Sequence, residues 1–230
     1  MKRINVIKRI SFIAVFGALT SVLYCFFKFN LPIFPGFLDI NISMIPVIIC
    51  AFMLGPWDAA ACVLIRFIIK LMVGSQTAYV GEIADLILGL VPAISAGLIY
   101  KYYKGKFSEG LSFILVIVTW SITGVLVNYF LNIPFYLEFF FDGAWEPLIK
   151  MVEPAINLIS FGAVGTITKE NFMLWYLLLG VIPFNLFLSL IVIGVTLPIH
   201  KRLRVLYDQI GMNKSNNINI DSNSSKEDKK

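Results

Sequence analysis

The chain has 230 residues, 58% of them hydrophobic and only 14% charged, with 19 Lys and Arg against 14 Asp and Glu. A soluble domain carries about 25% charged and about 45–50% apolar residues, so a mean hydropathy of +0.83 excludes a soluble globular protein, and excludes disorder except at the C-terminal end. The net charge of +5 reflects the flanks of apolar segments and implies no nucleic-acid partner.

A bilayer-spanning helix needs about 20 largely apolar residues. Six spans are predicted, at about 10–29, 43–55, 57–73, 81–100, 111–133 and 172–199. The chain is thus an all-α integral membrane protein with a membrane domain over 1–204 and a solvated tail over 205–230, rich in Asn, Ser and Lys. Ser11 to Phe27 holds no charge and follows Lys2, Arg3, Lys8 and Arg9. With no clear small-residue cleavage site after it, this first span is expected to stay uncleaved. Ala14 and Ala18, spaced i, i+4 and extended by Gly17 and Ser21, form a small-residue face on which another helix can pack closely in lipid. That helix belongs either to this chain or to a partner.

The connection that follows contains Pro32, Pro35 and Gly36, which forbid a continuous helix. Ile33, Phe34, Phe37 and Leu38 are too apolar for a solvated loop, so a lid over an apolar pocket is expected. The second span is short, with Pro46 near its start. Arg66 and Lys70 lie in the third. Gly74 to Asp85 groups the Ser75 and Thr77 hydroxyls, the Gln76 amide, the Tyr79 phenol and the Glu82 and Asp85 carboxylates. Glu82 and Asp85 share a helix face at an N-terminus that favours anions. Capping, pairing with Arg66 or Lys70, and ligand contact all remain open for them.

In the last two spans, Asn128-Tyr129-Phe130 and Pro183-Phe184-Asn185 place amides in apolar surroundings. Each amide needs partners: a neighbouring helix or the edge of a planar polar heterocycle. Cys25, Cys50 and Cys62 lack metal or redox spacing and read as small buried hydrophobes. His200, the single histidine, stands beside Lys201 and Arg202 and is expected in a basic cluster. Neither a metal site nor a His-based catalytic group is expected, and no GxxxxGK[ST] phosphate loop is present, so any ATP hydrolysis falls to another subunit. Lys and Arg collect before the first span, between the fourth and fifth (Lys101, Lys104, Lys106) and after the sixth. Both termini are therefore expected in the cytoplasm, with the acidic connection from Glu138 to Glu170 outside.

These segments, in order over about residues 10–204, resemble the substrate-binding S components of energy-coupling factor (ECF) vitamin transporters, most of all the riboflavin-specific type. The resemblance rests on Ala14-xxx-Ala18, Ser43-x-x-Pro46, Phe52-Met53-Leu54-Gly55-Pro56, Gly74-x-x-Thr77-x-x-x-Gly81-Glu82-x-Ala84, Asn128-Tyr129-Phe130 with Pro134-x-Tyr136, and Pro183-Phe184-Asn185. It implies a six-helix subunit, not an enzyme, that captures riboflavin outside and docks through Ala14 and Ala18 on a membrane T subunit. Two ATPase subunits then drive release. Asn128 and Asn185 would bond the isoalloxazine ring, Phe34, Phe37, Tyr79 and Tyr129 would stack on it, and Thr77, Gly81 and Glu82 would complete the site. Two departures stand out. Leu188 occupies the position of a lysine usual in the riboflavin type, and Asp39 and Asn41 stand where that type tends to carry Lys and Asp. Another flat vitamin or a flavin derivative, an S component for folate or pantothenate, and a non-transporting accessory protein are the alternatives.

Overall fold

In the computed structural model, residues 6–75, 77–103 and 108–209 are described. The expectations for Lys2, Arg3, Gln76, Lys104, Lys106 and the tail from residue 210 lie outside them. The elements in order are α1 (Val6–Phe26), a two-residue ribbon of β1 (Lys28–Phe29) and β2 (Ile40–Asn41), α2 (Met44–Met53), α3 (Pro56–Val73), α4 (Val80–Tyr102), α5 (Ser108–Val127), α6 (Ile133–Phe141), α7 (Trp145–Ile159), α8 (Lys169–Trp175) and α9 (Ile182–Gln209). The last helix runs five residues past the boundary expected at 204.

Four stretches among the described residues are long and apolar enough to cross a membrane: Val6–Phe26, Val80–Tyr102, Gly110–Phe141 and Lys169–Leu203. Six were expected. The ten residues of α2 span about 15 Å at 1.5 Å each, half of a hydrocarbon core about 30 Å thick. In α3 the charges of Asp58, Arg66 and Lys70 interrupt the apolar run. Gly55 (φ 116°) and Pro56 separate the two, and α3 then returns against α1 and α4. At Gly97 the approach of α4 to α3 is backbone-close: a Cβ there would meet Pro56 Cα at 2.7 Å.

The last two apolar stretches are not uniform α-helix. Each is broken by a π-helical turn, Asn128–Asn132 between α5 and α6 and Tyr176–Val181 between α8 and α9. The cause is visible in the sequence. Pro134 and Pro183 each lie two residues beyond the turn; proline donates no hydrogen bond and its ring clashes with the carbonyl four residues back. The helix widens instead, so that Ile133 N–H bonds Asn128 O and Ile182 N–H bonds Leu177 O, five residues back in each case. Such turns commonly mark functional sites.

The connection between the fifth and sixth spans is also helical. In α7, Leu148, Val152, Ala155 and Ile156 are buried, Leu148, Val152 and Ile156 packing with Ile133, Phe172 and Tyr176, while Glu146 and Lys150 pair outward at 2.6 Å. That pairing holds the exposed Glu146 carboxyl below its ordinary pKa and Lys150 above its own. Cys50 and Cys62 lie in the core, their sulfurs 3.6 Å apart. His200 departs from its expected place. It is 2% exposed, against the rings of Phe52 and Tyr100. As α9 passes α2 and α4 there, its ring turns inward and leaves Lys201 and Arg202 exposed.

Candidate functional site

A cavity of about 400 Å³ opens where the ribbon loop, the starts of α4 and α9 and the first π turn meet, within the usual range for small-molecule sites, about 300–1,000 Å³. Its roof is the connection between α1 and α2. Pairing of Lys28 with Asn41 and of Phe29 with Ile40 closes that loop at its base. Turns bonded from Phe34 N–H to Leu31 O at 3.0 Å and from Leu38 N–H to Pro35 O at 2.8 Å fold it. Phe37 is then driven down between Tyr136 (centroids 5.5 Å) and Tyr176 (5.8 Å), and Pro35 rests on the π turn at Gly180. The loop takes the position expected of a lid.

The wall beneath it carries the amides. Asn128 on the first π turn is buried; its Nδ2 donates to Gly124 O at 2.8 Å, and its Oδ1 accepts from Asn132 Nδ2 at 3.1 Å and Tyr176 Oη–H at 2.6 Å. That network locks the amide's orientation. Asn185, one turn past the second π turn, donates from Nδ2 to Val181 O at 2.8 Å. No other side chain bonds it among the described residues, so its oxygen and second N–H have no protein partner there. Gly124 makes this possible: a Cβ there would lie 2.5 Å from Asn185 Nδ2 and 2.9 Å from its Oδ1.

Opposite the amides stands an ionic rim. Glu82 is buried and accepts from Ser75 Oγ at 2.6 Å and Thr77 Oγ1 at 3.0 Å, with Lys70 Nζ at 3.9 Å. Lys70 also donates to Gly74 O at 2.7 Å. Gly81 permits this fold, since a Cβ would lie 2.7 Å from Thr77 Oγ1. Asp85 accepts from Tyr24 Oη at 2.5 Å, and Lys28 lies 3.8 Å from Asp39. The cavity is therefore polar along one side and aromatic along the roof.

Of the expected site residues, Asn128, Asn185, Phe37, Thr77, Gly81 and Glu82 line this cavity. Phe34, Tyr79 and Tyr129 do not. Phe34 is buried behind the wall, edge-on to Phe184 at 5.2 Å and beside Phe187 at 5.9 Å, so it buttresses a lining residue. Tyr79 sits in a left-handed turn (φ 67°) and is half-exposed. Tyr129 is 46% exposed, because Asn128 and Asn132 take the inward face and the residue between turns to the outside. Reasoning from sequence missed Tyr24, Lys28 and Asn132, and used Tyr136 only as part of a motif; all four line the cavity. A signal existed for two of them, since 128, 132 and 136 follow the i, i+4 spacing of one helix face. Ala14 and Ala18 lie away from the cavity, exposed on α1 beside Val15, Leu19 and Val22.

Comparison with known proteins accords with this arrangement. The family model of the ECF transporter substrate-specific component matches residues 8–200. The riboflavin transporter RibU of Lactococcus lactis subsp. cremoris (strain NZ9000) is 28% identical over 207 residues, covering 86% of this chain and 96% of the relative. That of Staphylococcus aureus (strain TCH60) is 24% identical over 196 residues, covering 85% and 90%. A solved S component of a bacterial ECF transporter superposes with a TM-score of 0.61 at 22% identity, over 86% of this chain and 96% of that one. Members of this family bind substrate for transport, act with T and ATPase subunits, and are not enzymes. The chain belongs to the substrate-specific components of ECF transporters, as a multi-pass membrane protein.

Proposed function

We propose that this chain captures riboflavin, or a closely related flavin, on the outer side of the cell membrane and delivers it to an ECF T subunit with two ATPase subunits. The observation that carries the reading is the convergence of Asn128 and Asn185 on one cavity roofed by Phe37. Two amides, one on the first π turn and one a turn past the second, suit the donor and acceptor edge of a planar ring, and aromatic roof residues suit its faces. The two RibU relatives support the same ligand. In this reading α2 and α3 complete a six-helix membrane unit. Asp58, paired with Arg9, and His200, beside Tyr100, mark the end opposite the cavity. Lys8, Lys101, Lys201 and Arg202 cluster by sequence at that end, which is cytoplasmic by the positive-inside rule, as are both termini. The exposed Ala14 and Ala18 face of α1 is the docking surface for the T subunit.

The test is absorbance and mass analysis of what copurifies with the solubilised chain, followed by titration with riboflavin, folate and pantothenate. Bound flavin with saturable riboflavin affinity is the expected result. Folate or pantothenate binding without flavin binding overturns the ligand, and no saturable binding of any vitamin favours an accessory role. Replacing Ala14 and Ala18 with Trp is expected to abolish uptake while leaving riboflavin affinity intact; loss of affinity instead makes that face internal packing.

A further inference from the structure

Arg66 stands near the middle of α3, 3% exposed. Its Nη1 donates to Ser43 Oγ at 2.9 Å and its Nη2 to the backbone carbonyl of Asp85 at 2.8 Å. The guanidinium lies 4.7 Å from the centroid of the Tyr24 ring. Among the described residues no carboxylate oxygen comes within 4 Å of it. The acids around it make their hydrogen bonds and ion pairs elsewhere, Asp85 with Tyr24, Glu82 with Ser75, Thr77 and Lys70, and Asp39 with Lys28, so none of them occupies the free guanidinium donors. A guanidinium has five N–H donors, and the two bonds to Ser43 and Asp85 use two of them. A buried cation at membrane depth is costly even with the Asp85 carboxylate nearby, so its remaining donors are valuable to anything that brings an acceptor.

An acceptor can reach it through the floor of the cavity. Arg66, Trp120, Asn185 and Leu188 bound a recess of about 40 Å³, which adjoins the main cavity through residues lining both, Asp85, Phe184 and Asn185 among them. Such a space is wide enough for one edge of a ring, not for a whole one. Gly89 lets the guanidinium lie where it does, since a Cβ would stand 2.7 Å from Nη2. Asn185 offers its uncommitted oxygen and N–H to the same space. Among the described residues Arg66 is the only basic one lining this recess, Asp39 and Asp85 line it too, and Leu188 leaves another part of its wall apolar.

We propose that Arg66 is a ligand-recognising residue: its spare N–H groups bond the acceptor edge of a planar heterocycle, a ring carbonyl and the neighbouring ring nitrogen, seated against Asn185 in the recess. The inference rests on the flavin reading above and deepens it. It makes the cation for that edge come from α3, with the edge presenting acceptors to Arg66.

The experiment is titration of the purified full chain with riboflavin, read by flavin fluorescence quenching, for wild type, Arg66→Met, Arg66→Lys, Gly89→Ala and the double variant Arg66→Met/Leu188→Lys. Charge-assisted hydrogen bonds contribute about 1.5–3 kcal/mol, so Arg66→Met is expected to raise Kd about tenfold to a hundredfold. Arg66→Lys should fall between it and wild type, and Leu188→Lys should recover most of the loss by placing an ammonium in the same recess. A merely structural Arg66 gives no such recovery. Gly89→Ala, which keeps the charge and displaces the guanidinium, is the measurement to rely on if Arg66→Met does not fold, and it too should raise Kd. In wild type the carbonyl stretch of bound riboflavin should lie at lower frequency than in water. Unchanged affinity in Arg66→Met or in Gly89→Ala, or no recovery in the double variant, overturns the role of Arg66 while leaving riboflavin as ligand. Absence of riboflavin binding by wild type overturns the ligand itself, and this inference with it.

Discussion

At its start α3 carries Asp58, which Arg9 of α1 grips with Nε 2.9 Å from both carboxylate oxygens and Nη2 2.6 Å from Oδ1. Two to three turns further on, the same helix carries Arg66 and Lys70, whose surroundings are a cavity. At the first end this pair is closed: the buried Asp58 carboxylate meets its cation within the chain. At the second, Glu82 is shared among hydroxyls with Lys70 only at 3.9 Å, and Arg66 has no carboxylate oxygen within 4 Å among the described residues. On the proposed flavin reading the difference separates charge that joins helices from charge held ready for an occupant, and it can be broken experimentally at either end.

The largest effect is expected at the closed end, and it should be lopsided. Arg9→Ala leaves the Asp58 carboxylate buried without its cation, a loss of about 3–5 kcal/mol of stability. Asp58→Ala leaves Arg9, whose side chain is 49% exposed, free to regain solvent, a loss of about 1 kcal/mol. Unfolding of the solubilised protein by denaturing detergent measures both, and riboflavin affinity should be unchanged in both. Equal losses, or a fall in affinity, would remove the distinction between the two ends.

At the cavity end, the two asparagines should part company. Asn128→Ala strands the Tyr176 hydroxyl and the Asn132 amide inside the protein, so it should lower stability as well as affinity, by about 1–3 kcal/mol for each group left unsatisfied. Asn185→Ala removes only a bond to Val181 and the contact with the occupant, so affinity should fall by about 1–3 kcal/mol with stability little altered. Thermal unfolding of the empty protein beside riboflavin titration separates them. A smaller loss is expected from Gly124→Ala, about tenfold in Kd, or about 1.4 kcal/mol, because the new methyl displaces the Asn185 amide without removing it. Wild-type affinity in that variant would mean that Asn185 need not stand where it does.

Much of this site was legible in the sequence because amides and carboxylates in apolar runs are conspicuous. Asn128, Asn185, Thr77, Gly81 and Glu82 announce themselves against a background of Leu, Ile and Phe. The aromatics do not, since this chain has 33 Phe, Trp and Tyr residues and their facing depends on where a helix widens. Pro134 and Pro183 hinted at the π turns, and the turns decide which neighbours of Asn128 look inward. The helix over Trp145–Ile159 went unread in the sequence, where the acids of that connection marked it only as an outer segment. The count of crossings was the least legible feature, because α2 is half the usual length and α3 is apolar only between charges whose partners lie on α1, in the loop and on α4.

The smallest expected effect is the sharpest test of how the aromatic residues divide. Tyr129 and Tyr79 are both half-exposed and absent from the cavity wall, whereas Phe37 reaches over it from the loop. Tyr129→Ala and Tyr79→Ala should each leave riboflavin affinity within about 0.5 kcal/mol of wild type, the range usual for surface substitutions. Phe37→Ala should weaken it, because the loop then loses its ring contacts with Tyr136 and Tyr176 and the roof no longer excludes water from a planar ligand. A loss at Tyr129 comparable to that at Phe37 would require the first π turn to rotate on binding, bringing Tyr129 inward at the expense of the bonds that Asn128 makes to Tyr176 and Asn132. Because those bonds fix the amide that the ligand is proposed to meet, such a rotation and a pre-formed amide site exclude one another, and the Tyr129 titration decides between them.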